Sequence, residues 1–141
     1  MADNKAIARR FIETFNTDDL AAADEFIAAG FTNHDPGTPP LPTGPEGYRQ
    51  LVRTYRTAFP DLRLTVEDLI AEGDKVAVRW TAKGTNNGEL MGMPPTGKPG
   101  TVSGISILPI EGGKITAQWV NWDTLGMLQQ LGVIPAPGQG G

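Results

Sequence analysis

Two groups of residues in this chain could move a proton. His34 and Asp35 are adjacent, and a carboxylate beside an imidazole that titrates near neutrality can fix its tautomer. Neighbours on a strand face opposite ways, so this pair works only if the strand ends there; otherwise His34 is a loop histidine satisfied by backbone groups. Asp123 is the second candidate. It follows Trp119 and Trp122, whose rings would desolvate a carboxylate and raise its pKa toward a working range. The same residue opens Asp123-Thr124-Leu125-Gly126, which also reads as a helix N-cap. Around these stand Tyr48, Tyr55, Trp80 and Trp119, flat side chains suited to an aromatic ligand or to an ordinary core. Asn33, Asn86, Gln118 and Asn121 can donate to a ligand carbonyl or satisfy the backbone. A base with amide donors for an enolate oxygen is the set needed to remove a proton next to a carbonyl.

Composition removes several other chemistries. The 141 residues include no cysteine and one histidine. That excludes disulfides, Cys-ligated zinc, a thiol nucleophile and a multi-histidine metal site within one chain, so no metal site is expected. The net charge of −4 argues against a nucleic-acid partner. Gly92 to Lys98 lacks Walker spacing and runs into Pro99-Gly100, not a helix, so it is expected to shape a pocket rim. Arg9, Arg10, Arg49, Arg53 and Arg56 are scattered and read as solvated helix faces. No segment approaches the ~20 apolar residues of a membrane span, and the N-terminal residues lack the basic start and apolar middle of a signal peptide. A cytoplasmic protein is expected.

The elements that would carry these residues follow from periodicity. Ile7, Ala8, Phe11, Ile12 and Phe15 make one face of a helix over 4–16. Asn16-Thr17-Asp18 breaks it and offers caps for a second helix over 19–28 that Gly30 ends. A short strand is expected at 31–34. After a proline-rich loop, Tyr48, Leu51, Val52 and Tyr55 give the buried stripe of a helix over 45–59. Beyond Pro60 the period changes to two. Strands are expected near 62–72, 75–85, 101–111 and 114–122, with a hairpin turn at Glu111-Gly112-Gly113-Lys114, then a short helix closed by Gly132. This is an α+β fold, a curved antiparallel sheet wrapped around N-terminal helices to form a cone-shaped pocket. One domain over 1–134 and a flexible tail over 135–141 are expected. Apolar residues on both faces of the strand at 101–110 (Ile105 and Ile107, Leu108 and Ile110) point to a buried outer face, hence a homodimer or tetramer. Trp119 and Trp122, three apart on a strand, must face opposite ways.

Ala58-Phe59-Pro60-Asp61-Leu62, Gly92-Met93-Pro94-Pro95-Thr96-Gly97-Lys98, Gly112-Gly113-Lys114-Ile115 and Leu128-Gln129-Gln130-Leu131-Gly132 carry a resemblance. The chain resembles the SnoaL-like polyketide cyclases, within the superfamily of nuclear transport factor 2-like and ketosteroid-isomerase-like cones, from about residue 5 to 133. The resemblance implies a cofactor-free enzyme that closes a ring by intramolecular aldol chemistry, or isomerises a hydrophobic polyketide-like carbonyl compound. It also implies departures. The family's histidine and aspartate on the last strand fall on Gln118 and Val120, a second histidine falls near Ser106, and another on Asn86, while the pocket asparagine is retained as Asn33. A binding protein for a small hydrophobic ligand, or a relative with other chemistry such as hydroxylation, is the alternative that these departures open.

Overall fold

A computed structural model describes residues 3–17 and 19–135. Its elements are α1 (Asn4–Glu13), α2 (Ala23–Phe26), β1 (Ile27–His34), α3 (Pro45–Ala58), β2 (Arg63–Glu72), β3 (Lys75–Thr85), β4 (Pro99–Glu111), β5 (Lys114–Trp122) and α4 (Thr124–Gln130). Asp3 caps α1 by accepting from the Lys5 amide, and the helix buries Ala8, Phe11 and Ile12. The last turn of the expected helix, Thr14–Asn16, is a tighter 3-10 turn. Its Asn16 amide does the work of a strand neighbour: it accepts from the Leu64 N–H at 2.7 Å and donates to the Leu64 carbonyl at 2.9 Å. Asp18, among the expected caps, lies outside the described residues, as does the expected tail from residue 136 onward.

Two expectations about the N-terminal third are corrected. The second helix is one 3-10 turn, Leu20–Ala22, plus the four residues of α2, and the strand that follows begins at Ile27, four residues early. Ala28-Ala29 favours helix locally, but Ile27 and Phe31 on either side are both buried in the core, so packing overrides propensity. Gly30 therefore sits inside a strand. The sheet is also not purely antiparallel. Its order is β1-β5-β4-β3-β2; the four long strands form the expected antiparallel meander, and β1 joins its edge parallel to β5. Register shifts at Val66/Asp68 and Ile107/Ile110 mark bulges, which bend the sheet.

The helices fill the concave side. Tyr48 is fully buried among Phe11, Phe15, Phe26 and Phe31, with ring centroids 4.8–6.5 Å away, and its hydroxyl donates to the Phe11 carbonyl at 2.7 Å. The family-like segments are largely structural. Asp61 accepts from the Thr85 amide and hydroxyl, which holds its carboxyl below the usual range and ties β2 to the end of β3. Gln130 bonds both the N–H and the carbonyl of Thr101, docking α4 on β4. Among the described residues no helix is long and apolar enough to cross a membrane.

Both tyrosines of the chain are neutral in this fold. Burial raises Tyr48 above its usual value of 10.0 and pushes Tyr55 up to about 12. Between pH 10 and 12 the unfolded chain loses phenolic protons that the folded chain keeps, so stability falls as pH rises through that window. A pH titration followed by tyrosinate absorbance should show no ionisation of the folded protein near pH 10, with phenolate rising as circular dichroism is lost. One tyrosine titrating near pH 10 in the folded state would contradict this burial.

Candidate active site

One cavity opens between the helices and the concave face of the sheet, enclosing about 710 Å³ of space including its mouth. The 3-10 turn after α1 gives Phe15, α3 gives Leu51 and Tyr55, β2 gives Leu64, and β5 gives Gln118, Val120 and Trp122. Trp80 on β3 and Trp122 on β5 flank Gly104 on β4, which pairs with both. A Cβ at Gly104 would lie 2.5 Å from the Trp80 ring and 2.7 Å from Cβ of Trp122, so only glycine lets the two indoles sit side by side.

Among the residues lining this apolar cavity, Asp35 is the sole carboxylate; Lys83, at the exposed mouth, is the sole cation. Asp35 closes the turn Asp35-Pro36-Gly37-Thr38, in which the Thr38 amide donates to its carbonyl. Its Oδ1 accepts from the Gly37 amide at 2.8 Å and its Oδ2 from the Thr38 hydroxyl at 2.6 Å. The Trp122 indole N–H reaches both oxygens, at 3.1 and 3.2 Å. The Tyr55 hydroxyl lies 2.6 Å from Thr38 Oγ1 and its ring meets the Trp122 ring edge-on. An ionised carboxylate only accepts, so the single Thr38 hydrogen goes to Asp35 and Tyr55 must donate to Thr38. For Tyr55, desolvation dominates the upward shift and the nearby Asp35 charge adds to it, against the lowering bond with Thr38.

A second polar string crosses the interior. The Trp80 indole donates to Ser106 at 3.0 Å, Ser106 to Gln118 Oε1 at 2.8 Å, and Gln118 Nε2 to Asn33 Oδ1 at 2.6 Å. Because an indole N–H only donates, it sets the direction of the whole string and aims the Gln118 amide nitrogen toward Asn33. Two of the three positions where the resemblance puts histidines, Gln118 and Ser106, thus touch each other as a neutral pair.

The structure brings together Asp35, Tyr55, Trp80, Gln118, Ser106 and Asn33. It separates the other expected site residues. Asp123 is exposed, lies outside the cavity and caps α4 by accepting from the Gly126 amide at 2.9 Å. His34 does not meet Asp35. It pairs with Trp119 across the edge of the sheet, and the two rings stack at 4.4 Å and 10° on the convex face, with Thr32 Oγ1 3.0 Å from the imidazole. Strand alternation is the cause: Gln118, Val120 and Trp122 face inward, so Trp119 and Asn121 face outward and are exposed. Tyr48 belongs to the core. Asn86 is a buried loop clamp, donating to the carbonyls of Ala58 and Gly88 and accepting from Thr96. Sequence reasoning missed Thr38 and the inward role of Trp122. The Asp-Pro-Gly-Thr turn was the available signal for the first, and the three-residue offset from Trp119 for the second.

With this cone and its interior site in view, relatives are informative. The model of the SnoaL-like polyketide cyclase family matches residues 5–131. The chain is 31% identical over 122 residues to the nogalonic acid methyl ester cyclase of Streptomyces nogalater, covering 86% of this chain and 91% of that one. It is 31% identical over 133 residues to the aklanonic acid methyl ester cyclase DnrD of Streptomyces peucetius, covering 89% and 88%. The solved structure of TsrD from Streptomyces laurentii superposes with a TM-score of 0.81 at 32% identity, covering 92% of this chain and 94% of that one. The chain belongs to the SnoaL-like polyketide cyclase family.

The pairing of indoles yields a direct test. Gly104→Ala forces Trp80 or Trp122 to shift and should cost about 1–3 kcal/mol, the usual range for overpacking. Thermal unfolding should record a lowered Tm together with altered tryptophan fluorescence. An unchanged Tm would mean the indoles do not hold this position.

Proposed function

We propose that this chain closes a ring of a polycyclic polyketide by intramolecular aldol chemistry, with Asp35 as the general base. The observation that carries the reading is Asp35, the sole carboxylate among the residues lining a largely apolar cavity. The named relatives act on methyl esters of nogalonic and aklanonic acid, and a methyl ester of this kind is the substrate class proposed here. Trp80 and Trp122 would bracket the flat ring system. The Asp35 carboxylate takes the proton from carbon next to a carbonyl. The electron pair of that C–H bond passes through the enolate to a ketone carbon of the same molecule, forming the C–C bond and leaving an alkoxide. The Gln118 amide is the donor closest in kind to an oxyanion station for the enolate oxygen. Base and donors are side chains, so the step calls for no metal or redox group.

Asp35→Asn keeps the acceptor at Oδ1 and removes the base. Turnover of aklanonic acid methyl ester should fall roughly 10²–10⁴-fold, the usual worth of a positioned base. Asp123→Asn and His34→Gln should leave turnover near wild type, because one is a cap that asparagine serves nearly as well and the other lies on the convex face. Full activity of the Asp35 variant would overturn the assignment.

The same reading includes one domain over residues 1–134, a cytoplasmic setting and a homodimer formed through the convex face. A continuous row of paired residues crosses that face, Ile70, Ala77, Ile107, Trp119 and His34, from one edge of the sheet to the other. Ile70 is 66% exposed, Trp119 51% and Ile107 43%, and Ile105 beside them 53%. An apolar band of that extent is unusual on a lone subunit. Light scattering at micromolar concentration should give twice the 15.0 kDa chain mass, and Ile107→Lys should give the single mass. Wild type at the single mass would contradict the dimer.

A further inference from the structure

The hydrogen-bonded line from Asp35 through Thr38 to Tyr55 ends on a second residue of the cavity wall. Thr38 Oγ1 is 2.6 Å from Asp35 Oδ2 and 2.6 Å from Tyr55 Oη, and Thr38 itself is not part of the wall. We propose that this line is a proton relay, in which Thr38 passes to Tyr55 the proton that Asp35 removes from substrate, and Tyr55 delivers a proton to the new alkoxide. The proposal rests on Asp35 being the base, and adds the acid and the path between them.

The direction of the line depends on the charge of Asp35. While the carboxylate is ionised, Thr38 donates to it and Tyr55 donates to Thr38, so the Tyr55 hydrogen is turned away from the ligand. Once Asp35 carries the substrate proton it becomes a donor to Thr38 Oγ1. Thr38 then turns its hydrogen to Tyr55 Oη, and the Tyr55 hydrogen is released to a substrate oxygen. The acid is therefore presented only after the C–H bond has broken, when the alkoxide is about to form. The step balances. The C–H bond breaks and the proton goes to Asp35, the C–C bond forms, and the ketone π pair becomes the alkoxide lone pair. Tyr55 O–H protonates that alkoxide while Thr38 reprotonates Tyr55 and Asp35 reprotonates Thr38. The carboxylate is restored with no proton gained or lost. Tyr55 touches substrate and is the catalytic acid; Thr38 acts through the other two and is a positioning residue.

Burial fits Tyr55 for this part. A phenol whose ionisation is pushed up to about 12 stays protonated at neutral pH and gives up its proton only to a strong base such as an alkoxide. Its ring position is fixed by the edge contact with Trp122 at 5.8 Å, which Tyr55→Phe retains.

The experiment compares Asp35→Asn, Thr38→Val, Tyr55→Phe and the Thr38→Val/Tyr55→Phe double variant with aklanonic acid methyl ester as substrate. Thr38→Val and Tyr55→Phe should each lower kcat by about 10²-fold, the low end for a positioned acid, with KM little changed. The double variant should be no worse than either single one, because both cut the same line. Thr38→Ser, which keeps the hydroxyl, should restore most of kcat, and the solvent deuterium isotope effect on kcat should shrink in Tyr55→Phe. If Thr38→Val fails to fold, Thr38→Ala gives the same comparison. Full kcat in Thr38→Val and Tyr55→Phe with an inactive Asp35→Asn would overturn the relay and leave the base assignment standing. Full activity of Asp35→Asn would overturn that assignment, and absence of turnover by wild type would remove the cyclase reading, each taking the relay with it. The protein alone gives a further reading: the Tyr55 ring carbon bearing the hydroxyl should shift in ¹³C NMR as Asp35 titrates, and this shift should vanish in Thr38→Val. A Tyr55 signal indifferent to Asp35 would count against the relay.

Discussion

The Trp122 indole N–H shared between both oxygens of Asp35 is the contact on which this site depends. A lone carboxylate facing an apolar cavity is costly, by several kcal/mol in real proteins, unless donors replace the lost water. Here three groups supply them, the Gly37 amide, the Thr38 hydroxyl and the Trp122 indole. None of the three carries a positive charge, so the lost water is replaced without pairing the carboxylate with a cation. The indole also sets where the charge sits. It fastens the turn after β1 to the last residue of β5, and Tyr55 brings α3 to the same point through Thr38 and through the edge of the Trp122 ring. Three elements distant in the chain meet on one carboxylate.

Trp122 can hold that position because of what lies beside it. Gly104 leaves the space that two indoles need, and the alternation of β5 sends Gln118, Val120 and Trp122 to one face while Trp119 and Asn121 take the other. The sheet thus separates two kinds of surface. The concave face carries the polar string from Trp80 to Asn33 and the Asp35 cluster within apolar walls. The convex face carries a band of isoleucines ending in the stacked Trp119 and His34. Where the resemblance would put the family's histidine and aspartate, the interior holds Gln118, bonded to Ser106, and Val120, and the carboxylate instead enters from the turn after β1.

Much of this architecture was legible in the sequence. The switch of period at Pro60 marked the meander, and the Gly112-Gly113 pair marked its hairpin, because these signals are local. The extent of β1 was not legible, because Ala28-Ala29 prefers helix and only burial of Ile27 and Phe31 against the rest of the fold reverses that preference. The parallel pairing of β1 with β5 joins segments about ninety residues apart and leaves no mark in either one. At the site, the adjacency of His34 and Asp35 suggested a pair, yet alternation along a strand separates neighbours, and the two point to different faces of the sheet. Asp123 had the correct residue type beside two tryptophans, but its neighbours Thr124 to Gly126 make it a cap first. The Asp-Pro-Gly-Thr turn places Thr38 beside Asp35, but its contact with Tyr55 depends on the packing of α3 and leaves no local mark.

The central claim is that the Asp35 carboxylate meets the carbon that loses its proton. A crystal structure of the Asp35→Asn variant with uncyclised aklanonic acid methyl ester bound tests this most directly. The account predicts that carbon within about 3–3.5 Å of the side-chain oxygen or nitrogen of residue 35, the separation of a near-attack arrangement. The rings should lie between Trp80 and Trp122. A substrate bound in the cavity with that carbon against Gln118 or Val120, and residue 35 turned away from it, would contradict the account.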